Sequence, residues 1–386
     1  MISILTETTN QLTRKTLINA LNKSSQLSFF LQSYKNKLAY EDTHFIAMHI
    51  LESITHIHTG INGPLQQRMQ VLQFDLEDFS FTGEHDLHHS NFEYQKQLAN
   101  EVTREINEIL SMITSVLDIH LHLNQCLSIN TSSISFLLKK TSSSFVSDHC
   151  KADFSVNSTV LIRMMTQPLA PYGNSTQLFT NLSRSFSFSV FDEDQHDIQA
   201  NRMEFVIPRD PNWIVPPMFY QNVTIMNEKN FLFHFYSYNL TKTNGNQTFS
   251  IHFEIHPLNP NISYFLIHQF DDKPQMNPIQ NWTFLCPSDF TSDQTYLHFI
   301  DNRQTSNHHS IVYGIRELVF EEMNEYCSNK TVAPIVDQPR KFSSDYEIRL
   351  YQSSCFYLDS NNNWQSNRLV VGRLTNLYQT QCFSIN

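Results

Sequence analysis

TFSIHFEIH (248–256) decides how the longer part of the chain folds. Phe249, Ile251, Phe253 and Ile255 fall on alternate positions, with Ser250, His252, Glu254 and His256 between them. A period of two sends successive side chains to opposite faces, so the stretch reads as a half-buried β-strand. SFSFSVF (185–191) alternates in the same way, and ISYFLIHQF, TYLHFI, SIVYGI, DYEIRLY and NRLVVGRL continue the series. The clusters FDEDQHD, TKTNGNQ, HPLNPN and DSNNNW separate them as turns. Many short strands joined by short loops predict a mostly antiparallel β-sandwich.

Toward the N-terminus the period changes. Ile46, Ile50, Ile54 and Ile57 recur at helical steps. Val102, Ile106, Ile109, Ile113, Val116 and Leu117 form a clearer stripe, in a stretch without Gly or Pro. A further helix around 4–34 is predicted, with Leu5, Leu12, Leu17, Ile18 and Leu21 inward. The expected class is therefore α+β. A helical subdomain occupies 1–127 and a β-sandwich subdomain 128–386, and the Ser/Thr-rich stretch SINTSSISFLLKKTSSSF (128–145) forms the boundary. No internal repeat is visible.

Composition excludes several classes. The chain has 386 residues, with 26 basic against 37 acidic side chains and a net charge of -11. A nucleic-acid surface needs a basic footprint, so no nucleic-acid partner is expected. Only 7 glycines are present, and no glycine-rich phosphate loop, nucleophile elbow or HExxH occurs. The longest apolar runs are too short to span a bilayer. The N-terminal MISILTETTNQLTRK has no apolar core or small-residue cleavage site, so it is not read as a signal peptide. Six cysteines and eleven N-x-[ST] sequons point instead to an oxidising, glycosylating compartment. The sequons are Asn22, Asn130, Asn157, Asn174, Asn181, Asn222, Asn239, Asn246, Asn261, Asn281 and Asn329. On this reading a signal peptide lies upstream, and the chain is a piece of something longer.

Local clusters yield no catalytic centre. EHDLHHS holds Glu84, His85, Asp86, His88 and His89. His85 and His89 have helical metal-ligand spacing, but the stretch reads as a solvated loop. His120 and His122 read as structural or helix-capping groups. Asp192, Glu193, Asp194 and Asp197 in FDEDQHD offer calcium-type oxygens, and a hairpin turn is the plainer reading. DSNNNW imitates a calcium loop with Asp359, Asn361 and Asn363, but Trp364 and Val370 stand where an EF-hand needs Gly and Glu. No metal and no cofactor is expected. Six cysteines allow many pairings. Sequence proximity favours Cys355–Cys382, Cys286–Cys327 and Cys126–Cys150.

CFYLDSNNNWQSNRLVVGRLTNLYQTQCF (355–383) resembles the GPS motif that ends the GAIN domain of adhesion receptors and of large polycystin-family receptors. Cys355, Phe356, Tyr357, Asp359, Trp364 and Cys382 fit its frame. PLAPYGNSTQ (168–177), SFSVFDEDQHDIQANRMEFVIPRDPN (187–212), HFEIHPLNPNISYFLIHQFDDKPQ (252–275) and HSIVYGIREL (309–318) look polycystin-like. The likeness covers about 155–386. The helical third is similar to a GAIN helical subdomain in general character.

The resemblance implies that 355–386 is a truncated GPS motif, in which Cys355–Cys382 clamps the last strand and Trp364 fills the core. In cleaving members a His activates a Thr or Ser hydroxyl, which attacks the preceding carbonyl. Asn386 holds the position of that His, so no catalytic residue is expected and the chain is not expected to cleave itself. The resemblance implies a non-enzymatic extracellular module of a membrane-anchored protein, partnered with that protein's membrane-spanning region and possible extracellular ligands. The alternatives are a secreted β-sandwich that binds a ligand or glycan, and an autoproteolytic domain cut short before its cleavage site.

Overall fold

The computed structural model describes residues 14–75, 85–131, 134–142, 145–146, 150–153, 159–167, 185–192, 194, 196–198, 202–209, 215–226, 231–240, 248–275, 279–329, 331, 333–334, 336, 338–359 and 363–384. For 14–15, 63–75, 85–95, 145–146, 150–153 and 225–226 that description stops at the backbone. The chain is α+β, with an N-terminal helical part followed by antiparallel sheets. It packs into two compact units. Unit 1 is Met1–Pro211 with Tyr357–Trp364 and Phe383–Asn386, and unit 2 is Asn212–Phe356 with Gln365–Cys382. The change from helix to strand falls near residue 126. The division expected at 127/128 therefore marks a change of secondary structure, not the division between packed units.

Unit 1 begins with three helices, α1 (Arg14–Ser33), α2 (Tyr40–Asp75) and α3 (His85–Asp118). The stripe expected on α3 is real: Val102, Ile106, Ile109, Ile113, Val116 and Leu117 are all buried. Leu17 and Leu21 of α1 and Ile50, Ile54 and Ile57 of α2 complete the helical core, with Ile18 and Ile46 packed at its margin. Leu5 and Leu12 lie outside the described residues. One expectation is overturned: His85, Asp86, His88 and His89 form the first turns of α3, not a loop. Thr43, Ser53, Thr55, Thr103 and Thr114 lie on these helices, and each hydroxyl donates to the carbonyl four residues back. That bond lets a hydroxyl sit in an apolar helix interface without an unmet donor.

Strands β1 (Cys126–Asn130), β2 (Ser135–Thr141), β5 (Val160–Gln167) and β6 (Ser185–Phe191) make an antiparallel sheet in the order β1-β2-β5-β6. Leu127, Ile129, Phe136, Leu138, Leu161 and Met165 join the helical core. Val160, Ile162, Met164 and Val190 form a second cluster, joined by Phe186, Phe188 and Phe205. Alternation along these strands thus feeds two cores at once. β3 (Phe145–Val146), β4 (Cys150–Asp153) and β7 (Arg202–Pro208) pair antiparallel.

Unit 2 is the sandwich. One sheet runs β13-β10-β15-β8 and the other β12-β11-β14-β9. The strands are β8 (Phe219–Gln221), β9 (His234–Asn239), β10 (Ser250–Pro257), β11 (Tyr264–Phe270), β12 (Trp282–Leu285), β13 (Tyr296–Ile300), β14 (Ser310–Glu317) and β15 (Tyr346–Ser353). Two short helices, α4 (Val223–Met226) and α5 (Phe320–Ser328), interrupt them. Ile251, Phe253 and Ile255 of β10 pack with Tyr264 and Leu266 of β11 and with Ile311, Tyr313 and Ile315 of β14, as alternation requires. The chain ends in β16 (Tyr357–Leu358), β17 (Trp364–Gln365), β18 (Leu369–Val371) and β19 (Gln379–Ser384).

Candidate functional site

Among the described residues two disulfides form, both in unit 2. Cys286, just past β12, bonds Cys327 of α5. Cys355, just past β15, bonds Cys382 of β19. The third expected pair is absent: Cys126 is a free, exposed thiol. It lies opposite Lys139 across β1 and β2, whereas Cys150 lies on β4 opposite Phe205, in a different sheet. Proximity in sequence failed there because the two residues belong to different ladders. Desolvation raises the Cys126 thiol pKa, and the charge of Lys139 opposes the rise.

The segment between Cys355 and Cys382 is anchored by polar side chains. Asn302 is buried, and its amide donates to Thr248 Oγ1 at 2.9 Å and to the Leu369 carbonyl at 2.8 Å. Its Oδ1 accepts the Val371 N–H at 3.0 Å. Three of the four bonds an asparagine can make are thus spent on one join. Ser366 Oγ accepts the Thr248 N–H, and Ser354 Oγ donates to the Thr248 carbonyl. Beyond β18, Gly372 N–H donates to the Gln381 carbonyl, Gln381 N–H to Thr375 Oγ1, and Leu374 N–H to Gln381 Oε1. Cys355, Cys382, Thr375 and Gln381 are all buried.

β10 and β15 meet in a second polar array. Half-burial of β10 is overturned: Ser250, His252 and Glu254 are buried along with the apolar face. Register explains how this is tolerated. Ser250 lies opposite Ser353, His252 opposite Tyr351, and Glu254 opposite Arg349. His252 Nε2 stands 2.6 Å from Ser353 Oγ, and its ring stacks on Tyr351 at 4.5 Å. Tyr351 Oη donates to Glu254 Oε1 at 2.9 Å. Arg349 Nε donates to Glu254 Oε2 at 2.8 Å, and its Nη1 donates to the Pro216 carbonyl at 3.0 Å. A buried charge pair with its remaining donors answered specifies register, because a slipped strand would strand the charges. Sequence reading missed the array. Its one signal was the matching alternation of DYEIRLYQS and SIHFEI, with Glu254 and Arg349 of opposite sign.

The other expected site residues fall as follows. Asp359 makes a turn, its N–H donating to the Asn363 carbonyl and its Oδ1 accepting the Asn363 N–H. Tyr357 and Trp364 flank that turn on β16 and β17, both half-buried. Trp364 therefore does not fill the core as the GPS resemblance implied. Asn386, Glu84 and Glu193 lie outside the described residues, as do Asn361 and the sequons at Asn157, Asn174, Asn181 and Asn246. Asn22, Asn130, Asn239, Asn261, Asn281 and Asn329 are exposed, and Asn222 is half-buried with its Oδ1 accepting the Thr224 N–H. His120 is half-buried with its ring against Tyr40, and His122 is exposed.

Asp192, Asp194 and His196 lie close enough to share an ion. Asp192 Oδ1 already accepts the N–H groups of Asp194 and His196, the bonds of a turn, as expected. Those backbone bonds, the His196 bond largest, hold its carboxyl below the usual range. Asp197 bridges back to Phe191.

Among the described residues, then, the chain is a disulfide-bonded α+β protein with an antiparallel sandwich, and no helix in them is long and apolar enough to cross a membrane. No protein-family model and no curated protein matches the chain.

Proposed function

We propose that the chain is a non-enzymatic, extracellular GAIN-like module of a polycystin-like, membrane-anchored protein, and that it acts as a mechanical clamp on its own terminal strands. The observation that carries this reading is the closure of 355–382. The Cys355–Cys382 bond fixes both ends of the segment, and Asn302 and Thr248 fasten its middle. A segment held covalently and by buried polar bonds suits a part that bears load or shields its neighbours. The disulfides are compatible with an extracellular location, and the exposed sequons fit glycan attachment there.

Asn386 holds the place of the base in cleaving relatives, and an amide does not take a proton from a hydroxyl near neutral pH. The chain extended by its natural downstream sequence is therefore expected to run as one band on a denaturing gel. Two stoichiometric fragments would sink the non-enzymatic reading and favour an autoproteolytic domain.

A further inference from the structure

His268 on β11 and Tyr313 on β14 are directly opposed in the register of their sheet. His298 belongs to β13 in the other sheet, opposite Phe253, whose ring stacks on Tyr313 at 4.5 Å. The three rings meet across the sandwich. Their centroids are 5.2 Å apart for His268–His298, 5.8 Å for His268–Tyr313 and 5.8 Å for His298–Tyr313. Nδ1 of each histidine and Oη of Tyr313 are buried and make no hydrogen bond. Leaving a buried polar atom without a partner is costly, and an ion or water between the rings would answer all three.

We propose that His268, His298 and Tyr313 form a site for a divalent first-row transition-metal ion, zinc or copper, held between the two sheets. An ion about 2.0–2.1 Å from an imidazole nitrogen stands roughly 3.2 Å from the ring centre, so two imidazoles on a tetrahedral ion have centres about 5.2 Å apart. The observed histidine spacing equals that separation. The Tyr313 hydroxyl supplies a third donor. His268 and His298 are each only partly buried. Such an ion would pin one sheet to the other at β11, β13 and β14.

The test uses the intact, disulfide-bonded chain after dialysis against chelator. Calorimetric titration with Zn²⁺ and Cu²⁺ separately is expected to give one ion per chain, and the bound ion to raise the melting temperature reversibly with chelator. His268→Phe and His298→Phe, which keep ring volume, should each weaken binding at least tenfold. Asp192→Asn should leave it unchanged. Absence of stoichiometric binding would mean that only water answers these atoms, and it overturns the proposal. So does binding that survives both histidine variants or that disappears with Asp192→Asn. If the variants fail to fold, X-ray absorption of the metal-loaded wild type decides: two imidazole ligands support the site, and an all-oxygen shell refutes it.

Discussion

The core of unit 1 is mainly aliphatic, built on Leu21, Leu51, Ile57, Ile61, Ile109 and Leu117. The core of unit 2 is rich in tyrosine, with Tyr264, Tyr296, Tyr313 and Tyr346 fully buried beside Phe253. Aliphatic burial is non-directional, and such a core tolerates small shifts. Each buried tyrosine brings a hydroxyl that needs a partner in one place. Tyr296 Oη donates to the Ile262 carbonyl at 2.6 Å, and Tyr236 and Tyr346 share a bond at 2.7 Å. Both disulfides lie in the same unit, while the free thiol lies in unit 1. Unit 2 is thus held by geometry that is costly to violate, and unit 1 by area.

The largest expected break in that contrast is Glu254→Ala. It leaves Arg349 charged, largely buried and without its carboxylate, with only the Pro216 carbonyl bond kept, at a cost of about 3 kcal/mol. Denaturant unfolding measures the loss, and hydrogen exchange should place it in unit 2. Replacing Cys355 and Cys382 by alanine opens a loop of 27 residues and should cost about 3 kcal/mol. Full reduction, which opens Cys286–Cys327 as well, should cost more and leave exchange in α1–α3 unchanged.

A glycine in each unit gives a finer comparison. A Cβ on Gly314 would stand 2.8 Å from the Phe235 ring and 2.9 Å from Ile267, so Gly314→Ala should cost about 1–3 kcal/mol through overpacking. On α2, a Cβ on Gly60 meets only the end of the Leu17 side chain, at 3.2 Å. A gain of about 1 kcal/mol in helix propensity opposes that crowding, so Gly60→Ala should stay within about 1 kcal/mol of wild type. Equal penalties at the two glycines in thermal melts would refute the contrast.

Acid has the smallest expected effect, and it falls on unit 1. His58 of α2 is buried, its Nδ1 makes no hydrogen bond, and burial lowers its pKa to about 4. Its unfolded value is near 6.5, so the unfolded chain binds the extra proton first. Stability is full above about pH 6.5 and falls as pH drops toward 4. His58→Leu should flatten that decline in unit 1, measured as the pH dependence of exchange in α2.

The helical stripe on α3 was legible because each of its positions needed only one apolar face. Strands β6, β10, β11, β14 and β15 were legible as strands from short apolar or alternating runs bounded by turn clusters, although β10 and much of β11 are buried on both faces. What stayed hidden depends on pairing between distant stretches. Nothing near His252 announces that Tyr351 will lie over it, and Glu254 reads as a solvent-facing residue until Arg349 is placed opposite. Cys126 and Cys150 looked like a pair because sequence distance says nothing about which sheet a strand joins. Trp364 was expected in the core only through the GPS resemblance, yet it is half-buried on a two-residue strand.

The disulfides also act as a redox-dependent ruler. They join residues separated by 41 and 27 positions. At about 3.3 Å per extended residue they withhold roughly 135 and 90 Å of contour from any pull along the chain. An oxidised molecule drawn out in a single-molecule experiment would therefore stop short, and adding reductant would lengthen it by those two steps. The same covalent pairs that fix the fold set the greatest distance the polypeptide can reach.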